Sequence, residues 1–348
     1  VLAICACRPQ IEGRPSLVDG DRLLAVRSEP AEVNPAASVP VPLMYRALYV
    51  GTGGAPDPAG LDWALCGERK PLAVTGPIAP ACLAKRAKAL TPLGQGESVE
   101  AMLPKDVCRL FGPSPPEPKK GVPPSRPADP DTTGGYYQPA RVLATIEGKP
   151  DYAVGVTRLD CGLAGATQDQ SMSYLKQYRP NENPALDSLV IRHGRSPETE
   201  VPAADGSAAQ VQIKPGQQLS LRASWAACPK SASCGDGICS PGEDKASCAR
   251  DCDLARPMGC TGSESYLELD QQTHQLEHRR EAIRISWFAT DGTFEHERTG
   301  RAEADVASAF SDNTWTAPKG HGEVSLWVVI RDDRGGVGWS AYKLGVGP

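Results

Sequence analysis

The 348-residue chain carries 37 Lys and Arg against 42 Asp and Glu, a formal charge of −5, with basic residues in blocks no longer than pairs such as Arg279-Arg280. That balance excludes a phosphate-tracking nucleic-acid surface, so no nucleic acid is expected among the partners. Thirty-five Gly, 33 Pro and few aromatics, with short β-branched runs between turn signals, exclude long helices and predict an all-β fold; at ~100 to 200 residues per domain the length suits two domains.

Val1 to Cys7 is apolar but too short to span a bilayer. Ile4-Cys5-Ala6-Cys7 resembles a bacterial lipobox, an aliphatic residue and two small residues before the cysteine that is lipidated, with Cys5 a departure from the pattern. The resemblance implies a signal-peptide tail over 1–7, a lipid on Cys7 and, with Arg8 following, sorting to a Gram-negative outer membrane. Residues 8–21 are polar and turn-rich and are expected to form a tether.

Residues 22–165 form the first expected domain. Arg22 to Arg27 alternates as a strand, Pro30 to Ala37 turns, and Ser38 to Val50 is a second strand that Pro40 and Pro42 push to a sheet edge. Leu61 to Cys66 is a third, with Trp63 expected in the core. Strand, turn, strand and Trp-bearing strand in this order resemble bacterial immunoglobulin-like (Ig-like) domains. Residues 71–96 read as irregular, with a short helix over Ala81 to Ala89, and Glu97 to Leu103 alternates again. Eight prolines across 112–130 exclude helix and central strand and predict an extended surface excursion. Arg141 to Glu147 and Tyr152 to Asp160 close the domain as a hairpin.

Residues 166–185 hold a helix and a junction: Thr167 is the N-cap, Gln168 to Tyr178 the helix, and Met172, Leu175 and Tyr178 fall near one face. Arg179-Pro180 stops it. The second expected domain, 186–348, has strands over Leu186 to Ile191, Gln210 to Ile213, Gln217 to Trp225 and Ala282 to Phe288, where Ile283, Ile285 and Trp287 share a face. Asp291-Gly292 turns the chain. Then come Asn313-Thr-Trp-Thr-Ala-Pro318, Gly322 to Arg331, the turn Asp333-Arg-Gly-Gly336, and Val337 to Val346; Trp287 and Trp327 are expected on inward faces of neighbouring strands. A Trp strand, a D-G-T turn, W-T-A-P and a terminal D-x-x-G-G hairpin resemble bacterial Ig-like or polycystic-kidney-disease-like domains, which implies a β-sandwich.

With Cys5 removed and Cys7 lipidated, the cysteines fall into two even sets: Cys66, Cys82, Cys108 and Cys161, then Cys228, Cys234, Cys239, Cys248, Cys252 and Cys260. Disulfides in an oxidising compartment follow, with connectivity open. The second set bounds an insert at 228–260, within which Cys234 to Cys252 holds Ile238 as its one large aliphatic residue. Its C-x4-C-x8-C-x3-C run resembles Cys-rich C-G-D-G repeats of bacterial envelope proteins and Notch-type calcium repeats. Asp236, Glu243, Asp244, Asp251 and Asp253 supply the hard oxygens calcium needs, and glycines permit ligand-wrapping turns. A plain disulfide knot and a thiolate zinc site are the alternatives.

His274-Gln-Leu-Glu-His278 matches H-x-x-E-H, the inverted zinc-peptidase pattern, which requires a helix and a third ligand. It lies between strand regions, so a solvated connector is expected. No G-x-S-x-G, P-loop or paired Cys/His nucleophile is present. The residues together predict two Ig-like β-sandwich domains with a disulfide-rich loop insert in the second. They fit a non-catalytic outer-membrane lipoprotein acting as an adhesion, binding or assembly scaffold for a protein or glycan partner, with calcium as cofactor. An accessory subunit of an envelope secretion or pilus machine is an alternative, as is a zinc hydrolase using His274, Glu277 and His278.

Overall fold

The computed structural model describes residues 14–35, 42–53, 56–71, 75, 77–84, 87–113, 135–192, 198–204, 209, 211–228, 246–248, 260–270, 272–305 and 308–347. Strands take 51% and helices 9%, which makes the class all-β. Two β-sandwiches follow one another along the chain.

The first contains β1 (Arg22–Glu29), β2 (Glu32–Val33), β3 (Leu43–Val50), β4 (Asp62–Cys66), β5 (Leu90–Gln95), β6 (Ser98–Ala101), a short helix α1 (Val107–Phe111), β7 (Gly135–Ile146) and β8 (Lys149–Asp160). One sheet has the order β1-β3-β6 and the other β2-β8-β7-β4-β5, with β2 parallel to β8. Alternate residues Leu43, Tyr45 and Ala47 of β3 meet Trp63 and Val142 from the facing sheet in the core. Trp63 is fully buried, and its indole N–H donates to the Gly96 carbonyl at 2.7 Å.

Helix α2 (Gln168–Gln177) leads to the second sandwich. This has β9 (Leu186–Arg192), β10 (Thr199–Glu200), β11 (Val211–Ile213) and β12 (Gln218–Trp225). A two-stranded ribbon follows, β13 (Ser265–Leu269) with β14 (Leu276–Arg280). Then come β15 (Ile283–Ala289), β16 (Thr293–Phe294), β17 (Arg298–Arg301), β18 (Phe310–Thr316), β19 (Gly322–Arg331) and β20 (Val337–Val346). The sheets are β10-β9-β12-β18-β16 and β11-β20-β19-β15-β17, with β11 parallel to β20. Strand for strand the sandwiches share one plan. In each, the second sheet runs short parallel strand, last strand, penultimate strand, Trp-bearing strand, edge strand, which is the Ig-like order. Trp287 takes on β15 the place that Trp63 has on β4. Gly292, at φ 82°, lies so close to Trp315 that a Cβ would sit 2.6 Å from its ring, so the Asp291-Gly292 turn needs glycine for both conformation and space.

Several expectations need correction. Residues 71–96 are not wholly irregular: among the described residues Pro80–Leu83 coils as a 3₁₀ turn, in place of the start of the helix expected over Ala81 to Ala89, and β5 follows as an edge strand. Its faces are largely exposed and it contains Pro92, so it lacks the buried alternation that marks a strand. The capping box of α2 forms, with Thr167 and Gln170 bonding each other's backbone N–H. The buried face, however, is Tyr174 and Tyr178, while Met172 and Leu175 are exposed. Residues 14–21 are docked rather than a free tether. Val18 N–H donates to the Ala289 carbonyl at 2.8 Å and Ala289 N–H to that of Ser16 at 2.9 Å, and Val18 is fully buried.

Trp327 does not face the sandwich core. Val324, Leu326, Val328 and Ile330 do, and Trp327 points to the opposite side of β19, packed with Val18, Leu24 and Val50. The outer face of this sheet is therefore covered by the first domain. Disulfides join Cys66 to Cys82, Cys108 to Cys161, and Cys228 to Cys260 across the base of the insert; Cys248 is also disulfide-bonded.

Candidate functional site at the domain junction

Cys7, the acidic residues Asp236, Glu243, Asp244, Asp251 and Asp253, and Cys234, Cys239 and Cys252 lie outside the described residues. The H-x-x-E-H stretch is described and is not helical. His274 turns the chain at φ 52°, and Glu277 and His278 are consecutive residues of β14, whose side chains leave opposite faces of the strand. All three are exposed. Among the described residues, no group of three or more His, Cys, Asp and Glu side chains is placed to hold a metal.

What the fold does assemble is a buried set of charges where the two sandwiches, the helix junction and the ribbon meet. It begins in the β19–β20 turn. Asp332 Oδ1 accepts the backbone N–H of Arg334 at 2.9 Å and of Gly336 at 2.7 Å, folding the turn so that Arg334 points inward. Gly335, at φ 100°, lets the turn lie against Tyr137 and Val156 of the first sandwich. Arg334 Nε then meets Glu281 Oε1 at 2.5 Å and Nη2 meets Glu264 Oε2 at 2.7 Å. Nη1 donates to the Arg179 carbonyl at 3.2 Å, and the guanidinium lies 5.2 Å from the centre of the Tyr266 ring.

The first sandwich contributes Glu32 and Arg158, direct cross-strand partners on β2 and β8, with Arg158 Nε 3.4 Å from Glu32 Oε2. Glu32 is completely buried. It also accepts the Tyr178 hydroxyl and, at 2.7 Å, the Asn181 backbone N–H. Arg334 Nη1 approaches the same carboxylate at 4.0 Å, joining the two ion clusters, while Asn181 Nδ2 donates to Asp332 Oδ2 at 3.4 Å. Stripping water from such ions costs several kcal/mol each. Only their mutual pairing offsets that cost, and the pairing exists in one relative placement of the two sandwiches. The cluster is thus a joint that fixes orientation.

Burial pushes the carboxyls of Glu281 and Glu264 upward, Glu264 from 4.5 to about 8, against the opposing pull of Arg334. Protonation of these buried carboxyls favours the folded state. Because the folded value lies above the unfolded one, this contribution is complete below about 4.5 and is lost as pH rises through about 8. The melting temperature should therefore fall between about pH 5 and about pH 8 and level off above it, and Glu264→Gln should flatten the decline. A melting temperature that stays level across that interval in the unmodified protein would contradict the assignment.

Beside the joint, a cleft of about 660 Å³ opens between the domains, with Tyr136, Tyr137 and Val156 on one wall and Arg284, Asp333 and Gly335 on the other. Its mixture of aromatic surface and both signs of charge suits a ligand or partner segment that touches both sandwiches at once. Glu32, Arg158, Glu264 and Glu281 belong to no motif visible in the sequence, and Asp332 and Arg334 read only as part of the D-x-x-G-G turn. The one local signal is the Asp332-Asp333-Arg334-Gly335-Gly336 turn, which holds more charge than a solvent turn requires.

No protein family matches the chain, and no curated protein does. Among solved structures, a mutant of Salmonella alpha-2-macroglobulin is 9% identical with a TM-score of 0.17, covering 94% of this chain and 17% of its own. The C-terminal domain of the Streptococcus pyogenes antigen I/II-family protein AspA is 10% identical with a TM-score of 0.21, covering 95% of this chain and 100% of its own. Dimeric latent PorU from Porphyromonas gingivalis is 9% identical with a TM-score of 0.19, covering 94% of this chain and 24% of its own. The chain thus spans less than a fifth of the macroglobulin and about a quarter of PorU. Likenesses at these scores carry no functional argument.

Proposed function

We propose that the protein is a non-catalytic binding or assembly scaffold of the bacterial cell envelope, held at the outer membrane through a lipid on Cys7 and engaging a protein or glycan partner. The observation that supports this most is the buried joint around Arg334, since two sandwiches locked in one orientation offer their loops and the cleft between them as a single surface. Disulfides in both domains suit an oxidising compartment. Calcium bound by the carboxylates of the insert would order that segment within the same scaffold. The test is fractionation and pull-down from envelope extract. The full chain is expected in the membrane fraction with a co-purifying partner, and Cys7→Ser is expected to release it. Recovery of both proteins in the soluble fraction, without partner, would overturn the proposal.

A further inference from the structure

A second cleft, of about 420 Å³, lies where β1 of the first sandwich crosses the outer face of the sheet containing β19, β15 and β17. Four arginines line it: Arg22 from β1, Arg284 from β15, Arg298 from β17 and Arg331 from β19; Glu297 is the one acidic residue in the wall. The sheet register makes this concentration of charge unusual. Arg284 and Arg331 are direct cross-strand partners on the same face, and Arg298 is the partner of Ser286, one strand over and two residues on. Like charges directly opposite one another in a sheet destabilise it unless something of opposite sign stands between them.

Among the described residues no carboxylate stands between them, although Asp333 lies within the field of Arg284. Among the described residues none of the four arginines forms an ion pair. Arg22 donates to the carbonyls of Pro15 and Leu17, and Arg331 donates to the Leu24 carbonyl at 3.0 Å and the Ser286 hydroxyl at 3.4 Å, all neutral acceptors. Arg331 is largely buried, and both burial and the nearby Arg298 pull its guanidinium below the usual arginine range, to about 10. The contrast with Arg334 and Arg158, each buried against carboxylates, is direct. A chain of net charge −5 has acids to spare, yet among the described residues Glu297 alone stands in this wall and it pairs with none of the four arginines.

We propose that the cleft is an oxyanion-binding site, taking the phosphate, sulfate or carboxylate group of a small ligand between the guanidinium groups of Arg284, Arg298 and Arg331. Guanidinium forks match such groups in shape as well as charge, and the surrounding Phe288, Leu23 and Leu24 supply apolar wall for the body of the ligand. The site goes beyond the scaffold reading, since it stands whether or not the protein works at the envelope.

The test is calorimetric titration of the full chain at low ionic strength with inorganic phosphate, sulfate and acetate in turn. Arg284 and Arg298 are exposed, so Arg284→Gln with Arg298→Gln is the variant of choice, with an unchanged melting profile as the check on folding. At least one anion should bind saturably at one site per chain, with affinity weakened tenfold or more in the double variant. Arg298→Lys, which keeps the charge without the fork, should fall between the two. The preferred anion would separate a phosphate or sulfate ligand from a carboxylate one. No saturable binding of any of the three at about 10 mM, or equal affinity in the double variant, would overturn the site.

Discussion

Arg334→Ala is expected to lower the unfolding free energy by about 3 to 5 kcal/mol, a large share of a typical domain's margin of about 5 to 15 kcal/mol. The substitution leaves Glu264 and Glu281 buried without their common cation and removes the second of the two cations beside Glu32, Arg158 remaining at 3.4 Å. It is the buried carboxyl groups left without a partner, more than the lost attraction, that make the effect large. Arg334→Lys should recover only part of it, because a single ammonium cannot face both carboxylates with the geometry of a guanidinium. Urea unfolding checks both, and a loss below about 1 kcal/mol in Arg334→Ala would place the cluster among the weak ion pairs of exposed surfaces.

Trp287→Ala is expected to cost a similar amount, about 3 to 5 kcal/mol, by a different route. Trp287 is fully buried between the sheets of the second sandwich, 5.8 Å from the Phe294 ring, and donates its indole N–H to Thr299 Oγ1 at 2.9 Å. Truncation opens a cavity and leaves that hydroxyl without its donor. Trp327→Ala should behave otherwise. Its ring packs against Val18, Leu24 and Val50, so its loss should loosen the contact between the domains while the second core stays intact. Hydrogen exchange separates the two cases: fast exchange along β15 and β19 in Trp287→Ala, and fast exchange confined to 16–18 and β1 in Trp327→Ala. Equal loss of protection along β15 in both variants would contradict this division.

Much of the fold was legible because local pattern and tertiary structure agree where only one face of a strand is buried. The bounds expected for Gly322–Arg331 and Val337–Val346 are those of β19 and β20, and Trp63 and Trp287 lie in the cores as read. Trp327 was misread for a physical reason. The apolar run Leu326 to Ile330 is buried on both faces, and a period-two pattern cannot say which face is the sandwich core when the other is covered by a neighbouring domain. The docking of residues 14–21 escaped notice similarly, because Leu17-Val18 is a short apolar pair flanked by polar residues and the partner Ala289 lies far along the chain. Cysteine parity pointed to disulfides without choosing among pairings, which depend on Cα positions that only the folded chain sets.

The joint was the least legible feature. Glu32, Glu264, Glu281 and Arg334 are scattered across the chain, and a lone Glu or Arg in a sequence ordinarily reads as solvated surface. The cleft arginines share that anonymity. Arg284 and Arg331 look like outward residues of alternating strands, and only the register of β15 against β19 reveals that they stand side by side.

Differential scanning calorimetry of the unmodified full chain at pH 7 tests the central claim most directly, since two sandwiches coupled through a buried charged joint should unfold together. The expected result is one transition whose calorimetric and van't Hoff enthalpies agree, splitting into two when Arg334 is replaced by Ala. Two independent transitions in the unmodified protein, unaffected by that replacement, would contradict the account.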